Sequence, residues 1–161
     1  MPHKFFNISK NDFDNFVKNE IDIICKNKSN WEDYDKNCRR CIFKSSENMT
    51  NHIYKLSDLN IPIKVNDTIA HYVTYNIDGT YNLNRHNDAC KITIIIYVNK
   101  TPNISETLYI EDNLVKDNYW SQDETQLRCM VMWSDDNEDG PYHSVIMEGN
   151  GKREVLCLFL G

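Results

Sequence analysis

The residues with the clearest capacity for chemistry are Arg85-His86-Asn87-Asp88, which lead into the apolar run Ile92-Thr93-Ile94-Ile95-Ile96-Tyr97-Val98-Asn99. On an extended strand, side chains two apart share a face, so His86 and Asp88 can offer one nitrogen and one oxygen to a common point. A second histidine from elsewhere would complete two histidines and one carboxylate on one side of a metal ion. That set leaves positions open for small ligands and marks non-haem iron(II) oxygenases. His143 is the sole histidine after His86, between the turn-rich Asp139-Gly140-Pro141-Tyr142 and the strand-like Ser144-Val145-Ile146-Met147. Ten residues later comes Arg153, at the head of Arg153-Glu154-Val155-Leu156-Cys157-Leu158-Phe159. Arg153, Val155, Cys157 and Phe159 share one face of that strand. A guanidinium heading an apolar face needs an anionic partner, because burying it alone is costly. A ligand carboxylate held by two parallel hydrogen bonds is a natural one. Alone, each feature has an ordinary explanation: a surface His-x-Asp pair, a histidine capping a loop, an arginine beside one of the many acidic residues. Their conjunction carries the metal reading.

These residues need a scaffold that brings distant strands together. After Lys55, turn residues alternate with short strand-like segments: Ile61–Val65, Ile69–Tyr75, the isoleucine run, Glu106–Glu111, Arg128–Trp133 and Arg153–Leu160, with Gly79 in a turn. Short strands at close spacing without helical pattern between them indicate an all-β sandwich or barrel. Before them, Ser9 to about Lys26 reads as an amphipathic helix, with Phe13, Phe16, Val17, Ile21 and Ile24 at helical spacing and Ser9 or Asn11 as cap. Its apolar stripe suits packing on the outside of a sheet. Residues 27–51 are polar and aperiodic. They contain Cys38-Arg39-Arg40-Cys41, the spacing of half a zinc site with no second half. Flanking arginines would favour thiolate there, yet ordinary thiols are the simpler reading.

With 161 residues the chain is expected to form one domain: 1–60 as helical and irregular support, 61–161 as the β core. The net charge of -6 argues against non-specific nucleic-acid binding. The acidic group Asp135, Asp136, Glu138 and Asp139 reads as a solvated loop. No segment has the length and apolarity of a signal peptide or membrane span, so the expected location is the cytoplasm, with the six cysteines reduced.

Together the motifs resemble the iron(II)- and 2-oxoglutarate-dependent dioxygenases, and among them the prolyl hydroxylases of the oxygen-sensing type. Tyr75-Asn76-Ile77-Asp78-Gly79-Thr80-Tyr81 followed by Arg85-His86-Asn87-Asp88 is similar to that family's tyrosine, glycine turn and Arg-His-x-Asp run. Tyr97-Val98-Asn99 resembles its Tyr-Leu-Asn. Trp133-Ser134-Asp135, His143 and Arg153 resemble its Trp-Ser-Asp, distal histidine and oxoglutarate-binding arginine. The resemblance spans about Ile69 to Phe159. It departs from the family in one extra residue between Tyr75 and His86, and in one more between the distal histidine and the arginine, which makes Lys152 a rival to Arg153. A third departure is Ser105-Glu106 in place of Gly-Gly.

The resemblance implies a double-stranded β-helix (jelly roll, cupin-like), mainly β, with N-terminal helices on its outside. It implies iron(II) held by His86, Asp88 and His143, and 2-oxoglutarate bound by Arg153 and Tyr97, with Tyr75 close by. Dioxygen would be the oxidant, ascorbate an accessory reductant, and the product a hydroxylated C–H bond, foremost in a prolyl residue of a protein or peptide. A lysyl residue, a free amino acid or another small substrate would suit the same chemistry. A different class, a jelly-roll module that binds metal or ligand without turnover, stands beside the enzyme reading.

Overall fold

The computed structural model describes residues 2–117, 119–134 and 139–161. Among them one nine-stranded antiparallel sheet accounts for most of the chain. Its strands are β1 (His3–Ser9), β2 (Trp31–Asp35), β3 (Cys38–Lys44), β4 (Ile69–His86), β5 (Ile92–Lys100), β6 (Ser105–Ile110), β7 (Asn113–Asp117), β8 (Gln126–Trp133) and β9 (His143–Leu160). The sheet runs β1-β8-β5-β9-β4-β3-β2, with β6 joined to β9 and β7 to β6.

The frame is the pairing of β4 with β9, both 18 residues long. It extends from Ile69 opposite Phe159 to His86 opposite His143. On its other edge β9 meets β6 through its first half and β5 through its second, so the β4/β9 ribbon passes through two walls of the molecule. Glycines sit where it changes wall. Gly79 (φ +88°) lies opposite Gly149 (φ +134°), and Gly151 (φ +141°) follows two residues on. Gly79 is thus inside a continuous strand, not in the turn expected between two shorter ones. The result is the expected jelly roll: mainly β, with helices on the N-terminal side.

Apolar side chains alternate between two cores, as strand geometry requires. Ile92, Ile94, Ile96, Leu156, Leu158 and Leu160 face the helical side, whereas Tyr97, Val145, Met147 and Val155 face the interior of the roll. The N-terminal helix occurs where expected, as α1 (Lys10–Phe13), a π-helical segment (Asp14–Lys18) and α2 (Asn19–Cys25). Ser9 caps it by accepting a hydrogen bond from the Asp12 amide, and Phe13, Val17 and Ile21 are buried on the sheet. A second helix, α3 (Glu47–Leu56), begins in the stretch read as aperiodic and runs five residues past it. Ser46 caps it, and Met49, Thr50 and Ile53 are its buried face.

Two further expectations are corrected. Residues 61–65 form no strand. Pro62 removes a backbone donor, and the Tyr54 hydroxyl takes up both polar backbone groups of Ile61. Residues 1–60 also supply more than helical support, since β1, β2 and β3 extend the sheet at both ends. Strand β2 is mostly exposed and held to β3 by cross-strand ion pairs, Glu32 with Arg40 and Asp33 with Arg39. None of the six cysteines forms a disulfide. Among the described residues no helix is long and apolar enough to cross a membrane.

At the crossing of walls, Gly149 packs directly against backbone. A Cβ there would lie 2.7 Å from the Asn103 carbonyl oxygen, and φ is in a region that side chains disfavour. Gly149→Ala is expected to lower unfolding stability by roughly 1–3 kcal/mol, measured by chemical denaturation.

Candidate metal centre and the cavity behind it

His86 closes β4 and His143 opens β9, and the register sets them directly opposite each other with ring centroids 4.3 Å apart. Asp88 is not on the strand. It lies just beyond it, in the connection to β5, where its backbone carbonyl accepts from the amides of Cys90 (2.8 Å) and Gly140 (3.3 Å). Sequence spacing suggested a shared strand face for His86 and Asp88. The convergence instead comes from a loop pinned to the rest of the site.

The three side chains meet. Asp88 Oδ1 is 3.7 Å from His86 Nε2, Asp88 Oδ2 is 3.7 Å from His143 Nε2, and all three ligand atoms lie within 4.8 Å of one another. Donors bound to one ion at about 2.0–2.2 Å sit roughly 3–4.4 Å apart, so small side-chain rotations place all three on one metal. The imidazoles are prepared for this role. His86 Nδ1 donates to the Asn84 carbonyl (2.7 Å) and His143 Nδ1 to the Pro141 carbonyl (3.0 Å). A carbonyl can only accept, so each ring carries its proton on Nδ1 and turns the Nε2 lone pair to the common point. Burial lowers the His143 pKa below the ordinary histidine value, which keeps the ring neutral as a ligand must be. Thr93 Oγ1 donates to Asp88 Oδ2 at 2.9 Å and orients the carboxylate. Two nitrogens and a carboxylate oxygen on one side of a point fit a divalent first-row metal such as iron(II).

Cys90 is not part of this group. Its thiol is buried, donates to the Ile92 carbonyl, and is pushed up to about 11 by burial. Cys38 and Cys41 face opposite sides of β3 and belong to different cores, which rules out a shared metal. Burial pushes the Cys38 thiol up to about 11, against the activation that its arginine neighbours suggested. Of the acidic group, Asp135, Asp136 and Glu138 lie outside the described residues, as does the Asp135 of Trp133-Ser134-Asp135, and Asp139 is exposed.

A cavity of about 420 Å³ runs from the three ligands into the roll. Tyr75, Tyr97, Arg153, Val155 and Cys157 line it, and the exposed Tyr34 and half-exposed Arg85 lie at its opening. Arg153 points inward while Lys152 is exposed, so of the two it is the arginine that lines the cavity, the most deeply buried of three guanidiniums there with Arg40 and Arg85. Tyr75 is opposite Arg153 in the β4/β9 register and presents its ring face to the guanidinium at 4.9 Å. Tyr97 is 2% exposed and packs on Tyr119 and Trp120.

The partner of Arg153 is the feature the motifs did not supply. Arg153 Nε and Nη2 donate to Glu106 Oε2 and Oε1, both at 2.8 Å. Tyr119 donates its hydroxyl to Oε1 of the same carboxylate. Arg153 and Glu106 are 3% and 2% exposed. Burial alone would push the Glu106 carboxyl up, but the guanidinium beside it prevails and holds it below the usual carboxylate value. Glu106 likewise overrides the effect of burial on Arg153 and raises its pKa. The buried cation of the cavity, Arg153, is therefore already matched by a carboxylate of the chain. The signal was in the sequence: Glu106, Leu108 and Ile110 share a face of β6, and a glutamate heading a buried apolar face demands a cation as surely as Arg153 demands an anion.

No family model and no curated protein sequence matches the chain. Solved structures resemble it in fold. IDO from Bacillus thuringiensis is 15% identical with a TM-score of 0.56, covering 98% of this chain and 92% of that one. A C-terminally truncated protein of Neurospora crassa, in apo form, is 11% identical with a TM-score of 0.52, over 96% of this chain and 81% of that one. An oxidoreductase of the 2OG-Fe(II) oxygenase family from Burkholderia pseudomallei is 8% identical with a TM-score of 0.51, over 98% and 84%. At such identities the likeness is one of fold. The jelly roll that holds the three ligands is the fold of these proteins.

The hydroxyl of Thr93 gives the centre its most specific outer support. Thr93→Val is expected to weaken Mn(II) or Fe(II) binding by about 10–100-fold without changing the fold, measured by anaerobic metal titration and circular dichroism.

Proposed function

We propose that the protein is an iron(II)-dependent dioxygenase that hydroxylates a C–H bond at the expense of a 2-oxo acid, the role that 2-oxoglutarate has in the family it resembles. The observation that carries this reading is the convergence of His86 Nε2, Asp88 and His143 Nε2 at one end of the roll, with an inward cavity beside them. Three ligands on one side leave room on the metal for a chelating cosubstrate and for dioxygen. The chemistry supplied there, when iron is bound, is oxidation of a C–H bond by dioxygen coupled to decarboxylation of the 2-oxo acid.

The remaining tasks belong to the chain. Asp88 contributes the negative charge of the ligand set, and Thr93 fixes its orientation. The carbonyls of Asn84 and Pro141 hold both rings in the ligating tautomer. Val145, Val155 and Leu108 wall the cavity with apolar surface and limit water around a reactive centre. Arg85 stands at the opening, tied to Asp112 and stacked on Tyr142 at 4.1 Å, and offers a rigid cationic and aromatic rim to an incoming chain. The substrate we favour is a prolyl residue of a protein or peptide, which an open cavity mouth accommodates better than a sealed pocket would. A free amino acid or lysyl side chain is the alternative for the same centre.

The test follows oxygen and 2-oxo acid consumption by purified protein under reducing conditions. Turnover is expected to require added iron(II) and to rise with a proline-containing peptide. His86→Ala and Asp88→Ala are each expected to lower it by more than about 100-fold, beyond the cost of losing an outer-shell contact. Iron-independent turnover, or variants as active as the native chain, would overturn the proposal. Metal binding with no turnover on any 2-oxo acid would favour a binding module instead.

A further inference from the structure

Behind the cavity wall, the guanidinium of Arg153 is already paired with a carboxylate that belongs to the protein. Arg153 is the cation that a second carboxylate of a cosubstrate would seek, yet it gives a bidentate pair of hydrogen bonds to Glu106, and both side chains are almost wholly buried. We propose that Glu106 stands in for the distal carboxylate of a dicarboxylic cosubstrate, so that the site selects a 2-oxo acid with a short uncharged tail over 2-oxoglutarate. The inference rests on the 2-oxo-acid reading above and names the cosubstrate class for it.

The argument is one of charge and room. Glu106 is tied down by Arg153 on both oxygens and by the Tyr119 hydroxyl on Oε1, and the side chain is fully enclosed. It cannot turn to solvent without leaving a buried charge unpaired, which is strongly unfavourable. A second carboxylate entering beside Arg153 would set two negative charges against its one guanidinium, with Tyr75, Tyr97, Val155 and Cys157 among the other residues lining the cavity. The other cations near the cavity are occupied or turned away. Of the guanidiniums that line it, Arg40 is paired with Glu32 at 2.7 Å and Arg85 with Asp112 at 2.9 Å, while Lys152 is exposed and Lys100 donates to the Ile104 carbonyl at 2.6 Å. An uncharged tail meets no such conflict, because the Glu106–Arg153 pair is neutral as a unit and its neighbours are apolar or aromatic.

The test compares 2-oxopentanoate with 2-oxoglutarate, which share a five-carbon chain and differ in the distal carboxylate. Affinity is measured by calorimetry on the native protein loaded with Mn(II) under argon, where no turnover occurs. Native protein is expected to bind 2-oxopentanoate at least tenfold more tightly than 2-oxoglutarate. Glu106→Gln keeps the shape and a hydrogen-bond acceptor for Arg153 while freeing its charge, and is expected to invert that preference, a change that loss of packing alone would not produce. Equal or tighter binding of 2-oxoglutarate by the native protein overturns the assignment and leaves the dioxygenase reading intact. Should the variant fail to fold, the native ratio alone decides. If the Mn(II) protein binds neither acid, the 2-oxo-acid reading itself falls, and this inference with it.

Discussion

The antiparallel register of β4 against β9 is the constraint on which the rest depends. One alignment of two 18-residue strands runs from Ile69 opposite Phe159 through Tyr75 opposite Arg153 to Leu83 opposite Val145, and a one-residue shift just before the end of β4 then sets His86 opposite His143. A slip of one residue would send every side chain of one strand to the other face and take apart the metal centre and the cavity wall together. Glycines at 79, 149 and 151 let the ribbon bend from one wall to the other without breaking that register. The site is thus built on paired strands, and the one ligand outside them, Asp88, is held by hydrogen bonds to its backbone and to its carboxylate.

The second organising interaction is the buried pair of Arg153 and Glu106. Its contribution to stability is not the point, since exchanging such a pair for apolar residues is often neutral or favourable. Removing one partner is a different matter, because the other is left charged and enclosed. The pair therefore fixes the character of the cavity's inner end. A lone arginine would make that end an anion trap, whereas the pair makes it polar but neutral. Tyr119, which donates to the same carboxylate, extends the arrangement to the aromatic cluster of Tyr97 and Trp120.

Much of this was legible in the chain. Continuous apolar runs marked β5 and β9, helical spacing of Phe13, Val17 and Ile21 marked the first helix, and the types and spacing of His86, Asp88, His143 and Arg153 marked the centre and its cavity. What was not legible has physical causes. The β2 strand exposes most of its side chains and owes its place to ion pairs with β3, so it shows no apolar alternation. Helix α3 buries only Met49, Thr50 and Ile53, with a threonine interrupting the apolar face. The partnership of Glu106 with Arg153 depends on how β6 and β9 lie across the roll. Two opposite charges, each heading an apolar strand face, were nonetheless a pair waiting to be matched.

The account stands on a metal held by two imidazoles and a carboxylate, with the nearby thiol of Cys90 excluded. X-ray absorption at the iron edge of the Fe(II)-loaded protein tests this most directly. The expected result is one iron per chain with only nitrogen and oxygen around it and the multiple-scattering signature of two imidazoles. Sulfur in the first shell, a single imidazole, or the absence of a specifically bound ion would contradict it.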